Sequence, residues 1–323
     1  MMEIRYLTGE EKQASRSLYE CCFPEDTEKF TDYYYKEKCR DNRIAAVKVQ
    51  KNGMGEQIAV MVHENPYTMS ICGNPALVSY IVAVATHPDY RRRGWMKKVL
   101  AYSLRQCYRR EEPFSFLTPA DPAYYESLGY RFWKNQQEWI VEGELPEGTP
   151  AVNENAAELA AFSNQVLSEH FDLYVQRDEA YYRRLIREQK SGDGDIVILW
   201  KKKSTGGKTV DGCFCYSLED GMEIREPIFT DRPAQKGRPV MMGRIVHLAK
   251  FVEKLRFPVP FSICVWITDD CIPENNGCFQ IEIDSSAGSI KRAAASRAAE
   301  SMDIAEFGQL LFDRMKIFVN EVV

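Results

Sequence analysis

The chain has 323 residues, 45% of them hydrophobic, with a formal net charge of -5, which is long for one typical domain, suits two or three and allows a substantial buried core. The mild acidic excess gives no reason to expect nucleic-acid binding and tolerates a cationic substrate. No apolar run approaches the roughly 20 residues of a membrane span, and the start, MMEIRYLTGEEK, lacks the apolar core of a secretion signal. A cytoplasmic protein with no membrane partner is expected. Ten cysteines are scattered without a C-x-x-C pair, and His63, His87, His170 and His247 are not spaced as a ligand pair. Free thiols and no metal site follow.

In chain order, Thr8-Gly9-Glu10-Glu11 reads as a capping box ahead of a helix with Ala14, Leu18 and Cys22 on one face. Phe23-Pro24 ends it. A second helix is predicted over 28–39, with Phe30, Tyr33 and Tyr34 at helical spacing. Strands are predicted at 44–49, 58–63 and 67–71, separated by the turn residues Asn52-Gly53 and Asn65-Pro66. A buried strand ending near Val84 then runs through Arg91-Arg92-Arg93-Gly94 into a helix. Met96, Val99, Leu100, Ser103, Leu104 and Cys107 share one face of that helix, and Lys97, Lys98 and Arg105 face outward. The first turn of such a helix offers unpaired N–H groups at the positive end of its dipole, and three arginines raise the potential further: a place for a pyrophosphate. A short strand at 113–118, a proline break at Pro119 and Pro122, a helical turn at 123–128, a strand from Gly129 and a last strand at 137–141 complete this part. The Pro/Gly cluster 143–150 is the clearest linker.

The segment His87-Pro88-Asp89-Tyr90-Arg91-Arg92-Arg93-Gly94 resembles the acetyl-coenzyme A loop of GNAT N-acetyltransferases (Gln/Arg, two residues, Gly, one residue, Gly/Ala), with Arg91 and Gly94 matching and Met96 in the last position. A bulky residue there is similar to the Eis-like (enhanced intracellular survival) subfamily. Tyr124-Tyr125-Glu126-Ser127-Leu128-Gly129-Tyr130 resembles the GNAT ending in which a tyrosine five residues before the final aromatic protonates the departing thiolate. That position is Tyr125, with Tyr124 as its competitor. The resemblance implies acetyl-CoA as co-substrate, bound by the main chain of Val84, Ala85 and Thr86 and by Arg91, Arg92, Arg93, Gly94, Trp95, Met96 and Lys97. It also puts the early helical hairpin beside the acceptor, with Phe23, Asp26 and Tyr34 as pocket candidates.

Past the linker, helices are predicted at 153–168 and 178–189, the second with Tyr181, Tyr182, Leu185 and Ile186 on one side. Strands follow at 196–200, 212–217 and 223–228. Lacking a second phosphate loop, this stretch resembles a shortened, catalytically silent middle region of Eis-like proteins. An amphipathic helix is predicted over 240–257, a strand over 261–267 and a helix over 304–312. The run TDDCIPENNGCFQIEID, 268–284, resembles a hairpin of the sterol-carrier-protein-like (SCP2-like) domain that closes Eis-like enzymes.

The expected fold class is α+β: a GNAT acyl-CoA N-acyltransferase domain over 1–144, the shortened GNAT-like region over 151–235 and an SCP2-like domain over 236–323. Amine attack on a thioester needs a proton acceptor, and the resemblance implies the terminal carboxylate of Val323. The apolar ending Val319 to Val323 is unusual for a free tail, and Glu321 is the alternative base. The expected function is acetyl transfer to a primary amine of a small cationic molecule, a lysine or a peptide, with self-association into a closed oligomer. The alternative is a non-catalytic protein that binds coenzyme A or an apolar ligand.

Overall fold

The computed structural model describes residues 3–51, 55–141, 146–218 and 223–321. The Asn52-Gly53 turn, part of the linker and the Val323 base lie outside the described residues. The first sheet opens with β1 (Ile4–Tyr6), β2 (Arg43–Lys51), β3 (Gly55–Ile71), β4 (Asn74–Thr86) and β5 (Phe114–Leu117) side by side. Alternation sorts its side chains onto two faces. Ala45 and Val47 pack with Val99, Leu100 and Leu104 of the Trp95–Arg109 helix, whereas Ile44 and Ala46 pack with Leu18, Tyr19 and Tyr34 of the helical hairpin.

Three features differ from the sequence expectation. Asn65-Pro66 is no turn: β3 runs unbroken for 17 residues. Proline is tolerated there because β2 pairs with β3 only as far as Arg43↔Glu64, and Leu173–Val175 takes up the same edge only at Met69–Ile71. The missing N–H thus falls in a gap in the ladder. The predicted helix over 240–257 divides: Met242–Ile245 is a strand between β5 and β6 (Arg131–Phe132), and only Leu248–Lys254 is helical. All four strand residues are buried, as in a strand covered on both faces. The last strand shrinks to Gln137–Glu138, which pairs with Gln235–Lys236 apart from the main sheet.

The middle stretch forms a four-stranded sheet, ordered Glu223–Phe229, Lys208–Ser217, Asp195–Lys202 and Thr149–Pro150. The helices Ala156–His170 and Glu179–Ser191 share its core, through residues such as Leu159, Leu167, Tyr182 and Ile186. The last stretch forms a second four-stranded sheet, ordered Gly288–Arg292, Gly277–Ile283, Phe261–Thr268 and Glu300–Asp303. Its helices Leu248–Lys254 and Ile304–Phe312 bury Phe251, Phe307 and Phe312 in one core with Tyr67, Tyr80, Phe114 and Phe116 of the first sheet. Ile317–Phe318 then pairs with Leu173–Val175.

The motif at 268–284 is a clamp. Asp269 accepts the N–H groups of Cys271 and Ile272, the Asn275 amide and the Arg244 guanidinium, the last at 2.5 Å. Asn275 also donates to the Val246 carbonyl and accepts from the Leu248 N–H. It fixes the inserted strand to the helix that follows it.

A Cβ added at Gly243 would lie 2.3 Å from Trp133 Nε1, inside the inserted strand. Gly243→Ala is expected to cost about 1–3 kcal/mol through overpacking, measured as a fall in the urea midpoint, whereas Gly9→Ala, where a Cβ meets nothing within 4 Å, leaves it unchanged.

Candidate active site

β4 and β5 run parallel but pair only at Ser79↔Ser115 and Tyr80↔Phe116. Beyond Tyr80 the strands part. β4 carries one extra residue against β3 between Val82 and Ala85, and Ala83 sits at φ 47, a left-handed conformation that a non-glycine residue adopts at a cost. This bulge re-aims the strand where it leaves its neighbour. Val84 turns toward the cluster containing Tyr125, Leu100 and Leu117, and Ala85 toward the hairpin cluster. Thr86 Oγ1 is buried with no hydrogen-bond partner among the described residues.

The loop follows. Its shape is held by Arg91 Nε donating to the Thr86 carbonyl at 3.0 Å and Arg93 donating to the Asp89 carbonyl at 2.7 Å. Arg92 at φ 59 and Gly94 at φ 72 both take the left-handed conformation and turn the chain from the loop into the helix. Gly94 starts the 15-residue helix with no side-chain cap. Arg91, Arg92, Arg93, Gly94 and Lys97 are exposed, while Trp95 and Met96 lean on the core cluster that contains Tyr125. The unsatisfied helix start, the orphaned Thr86 hydroxyl and the opened strand pair fit a long ligand with a pyrophosphate at one end and amides along its arm.

Tyr125 lies in the Ala123–Glu126 turn, edge-on to Tyr130 at 6.1 Å. Burial pushes its pKa up to about 12, so it is protonated at neutral pH. Its hydroxyl makes no hydrogen bond to any described residue, whereas Tyr124 is 53% exposed.

The acceptor candidates separate into two groups. Tyr34 is 1% exposed, stacked between Tyr19 and His63, with its hydroxyl 3.0 Å from His63 Nδ1. It holds the hairpin on the sheet. Phe23 packs on Tyr19, whose hydroxyl donates to Asp26 at 2.5 Å; burial raises the Asp26 pKa. Glu321 instead lines a cavity of about 610 Å³ in the gap along β3, with Asn65, Pro66, Tyr67 and Thr68 on one wall and Arg177, Tyr181 and Glu188 on the other.

At that cavity and just behind its wall are groups the sequence reading missed. Lys38 pairs with Glu188 at 2.7 Å and Arg177 with Glu226 at 2.7 Å, and all four are under 9% exposed. Glu321, 4% exposed, stands 4.0 Å from Arg177 and receives the Tyr181 hydroxyl at 3.0 Å. Burial, then the neighbouring Glu226 charge, push its pKa up to about 8 against the pull of Arg177 and Lys38. Tyr80 donates to the Glu321 carbonyl at 3.1 Å and lies 3.2 Å from Thr118 Oγ1. The chain's last described residue is therefore moored where β4 and β5 part. One signal for this site is legible afterwards: Glu188 is seven residues from Tyr181, on the same helical stripe.

The raised Glu321 pKa sets a pH dependence. The folded state holds this proton more tightly than the unfolded chain, so its stabilising effect is complete below the ordinary value of 4.5 and is lost as pH rises toward about 8. Glu321→Gln is expected to melt progressively higher relative to wild type between pH 5 and pH 8; a constant difference across that range refutes the assignment.

Residues 3–133 match the family model described as an acetyltransferase (GNAT) domain, and residues 248–316 match that of a sterol carrier protein domain. No curated protein matches the chain. Among solved structures it is similar to a probable N-acyltransferase of Enterococcus faecalis V583, with TM-score 0.72 and 17% identity over 98% of this chain and 93% of the other. A GCN5-related N-acetyltransferase from Anabaena variabilis gives TM-score 0.72 and 17% identity over 96% and 90%. Eis1 from Mycobacterium abscessus gives 0.65 and 13% over 96% and 89%. At these identities the likeness is one of fold, and the fold class is the α+β arrangement expected. The chain thus carries a GNAT acetyltransferase domain followed by a sterol carrier protein domain, and is an enzyme of the acetyltransferase kind.

Proposed function

We propose that this enzyme moves an acetyl group from acetyl-CoA to a primary amine, on a small cationic molecule, a lysine or a peptide, by direct attack in a ternary complex. The observation that supports this reading best is the mooring of Glu321 by Tyr80 at the parting of β4 and β5, beside the main chain proposed to hold the thioester. The fold likeness to Eis1 and the sterol carrier domain support an Eis-like architecture in which 1–144, 151–235 and 236–323 act as units, assembled as a homo-oligomer in the cytoplasm.

Acetyl-CoA, when bound, supplies a thioester carbonyl and a thiolate leaving group. The open N–H groups of Gly94 to Lys97 and the Arg91, Arg92 and Arg93 side chains hold its pyrophosphate. Main-chain groups of Val84, Ala85 and Thr86 take its amides, and Trp95 and Met96 flank its arm. Tyr125, protonated and without another partner among the described residues, gives its proton to the departing sulfur. The Val323 carboxylate, two residues beyond Glu321, takes the proton of the attacking amine, with Glu321 as the alternative acceptor. Phe23 and Asp26 sit at the hairpin side as further contacts for a cationic acceptor. Orientation of amine and thioester supplies most of the acceleration.

Thiol release with polyamine, aminoglycoside and peptide amines tests this. Tyr125→Phe is expected to lower kcat about 10²-fold with acetyl-CoA Kd unchanged, and extension of Val323 by a short tail to lower kcat likewise. Full activity in the tailed protein assigns the base to Glu321; coenzyme A binding without transfer to any amine overturns the proposal.

A further inference from the structure

At the cavity and just behind its wall, three buried carboxyls, Glu188, Glu321 and Glu226, face two buried cations, Lys38 and Arg177, among the described residues. Glu188 is matched by Lys38 and further held by the Tyr33 hydroxyl at 2.8 Å. Arg177 serves Glu226 at 2.7 Å and is 4.0 Å from Glu321. One negative charge is left over, and buried charge without a partner is expensive. The Tyr181 hydroxyl lies 3.0 Å from Glu321 Oε1 and 3.3 Å from Glu226 Oε2. A phenol has one hydrogen to donate, so two ionised carboxylates around it leave one oxygen facing a lone pair. A single proton shared within the group removes both problems.

The backbone gives an independent observation. Glu226 sits at φ 50, where its strand carries an extra residue against Lys208–Ser217 between Cys213↔Ile228 and Cys215↔Arg225. A glutamate in the left-handed region is strained, and such strain persists where the surrounding structure enforces it. Here it is coupled to a carboxylate, 7% exposed, on Arg177.

We infer that Glu321, Tyr181 and Glu226 form a proton relay that moves the shared proton from Glu321 into the middle region of the chain, so that Glu321 can take the proton of the reacting amine. The inference rests on the acetyltransfer reading in one respect, that the amine's proton enters at Glu321, directly or from the Val323 carboxylate. At rest the shared proton is on Glu321. It passes to the Tyr181 oxygen as the Tyr181 O–H proton passes to Glu226, which leaves Glu321 a carboxylate and Glu226 a carboxylic acid beside Arg177. The amine N–H bond then breaks and Glu321 gains an O–H, with no redox change. Tyr181 and Glu226 are positioning residues acting through Glu321. The other titratable and charged groups facing the trio are Arg177, Lys38, Glu188, Tyr67, Tyr80, Tyr182, Cys213 and Cys215.

Infrared difference spectra of the full chain read the shared proton without turnover. Wild type minus Glu226→Gln, and wild type minus Glu321→Gln, are each expected to show a protonated-carboxyl band at pH 7, because either change leaves the remaining charges balanced. No band in either difference overturns the inference. Turnover with the best amine of the panel then reads the relay. Tyr181→Phe, which keeps every charge, is expected to lower kcat about tenfold at unchanged acetyl-CoA KM. Glu226→Gln is expected to move the rising limb of the kcat/KM–pH profile about one unit lower, since Glu321 loses a repelling neighbour. A wild-type kcat in Tyr181→Phe overturns the relay even if Glu226→Gln fails to fold. If wild type acetylates no amine, the acetyltransfer reading and the relay fall together, while the infrared band separately decides whether the carboxyls share a proton.

Discussion

The architecture depends on the uninterrupted length of β3. Its 17 residues give one edge to β4, whose bulge and parting from β5 leave main-chain groups of Val84 to Thr86 outside the ladder with β5. The other edge goes first to β2, then pairs with no strand among the described residues over 65–68, where the Thr68 carbonyl accepts the Gln176 N–H, then goes to Leu173–Val175. The unpaired interval is the cavity wall, and Pro66, which has no N–H to leave unpaired, occupies it. One strand thus borders the opened β4–β5 pair on one edge and the buried carboxyls on the other. The two are separated by the width of a ladder, with Tyr80, paired opposite Asn65, reaching across to Glu321.

The cavity is a poor investment in stability. Lys38, Arg177, Glu188, Glu226 and Glu321 are taken out of water, and buried ion pairs return little of what their desolvation costs. The Arg244–Asp269 pair is of another kind: it too is buried, but it sits inside a clamp of backbone donors and amides. It secures the joint between the last unit and the first sheet. The segments that flank the sterol carrier match tie it to the first sheet: Met242–Ile245 precedes it and enters that sheet, and Glu321 follows it and accepts from Tyr80.

Local chemistry was readable in the sequence where it is carried by neighbours along the chain. The arginines before Gly94, the amphipathic helix after it, the Tyr125 turn and the helix at Ile304–Phe312 all depend on spacing within a dozen residues. What could not be read is set by residues far apart. Met242–Ile245 continues an amphipathic pattern into the following helix, and only its placement between β5 and β6 makes all four residues buried. Asn65-Pro66 has the composition of a turn, and only the absence of a neighbour at that edge keeps it in a strand. Glu188 and Glu226 look like surface glutamates until Lys38 and Arg177 are brought to them across 150 and 49 residues. Tyr34 has the aromatic character of a ligand contact, and its partner His63 is what claims it for the core.

The strand borrowed from residues 242–245 orders events on the ribosome. The acetyltransferase sheet has a vacancy between β5 and β6 until more than a hundred further residues have been made, and closing so long a loop is slow compared with local helix formation. The nascent first unit leaves the exit tunnel with two open β edges, of the kind that pair promiscuously. Protection of those edges by a holding factor or by speed of synthesis is then a requirement of this topology, set by where one four-residue strand is encoded.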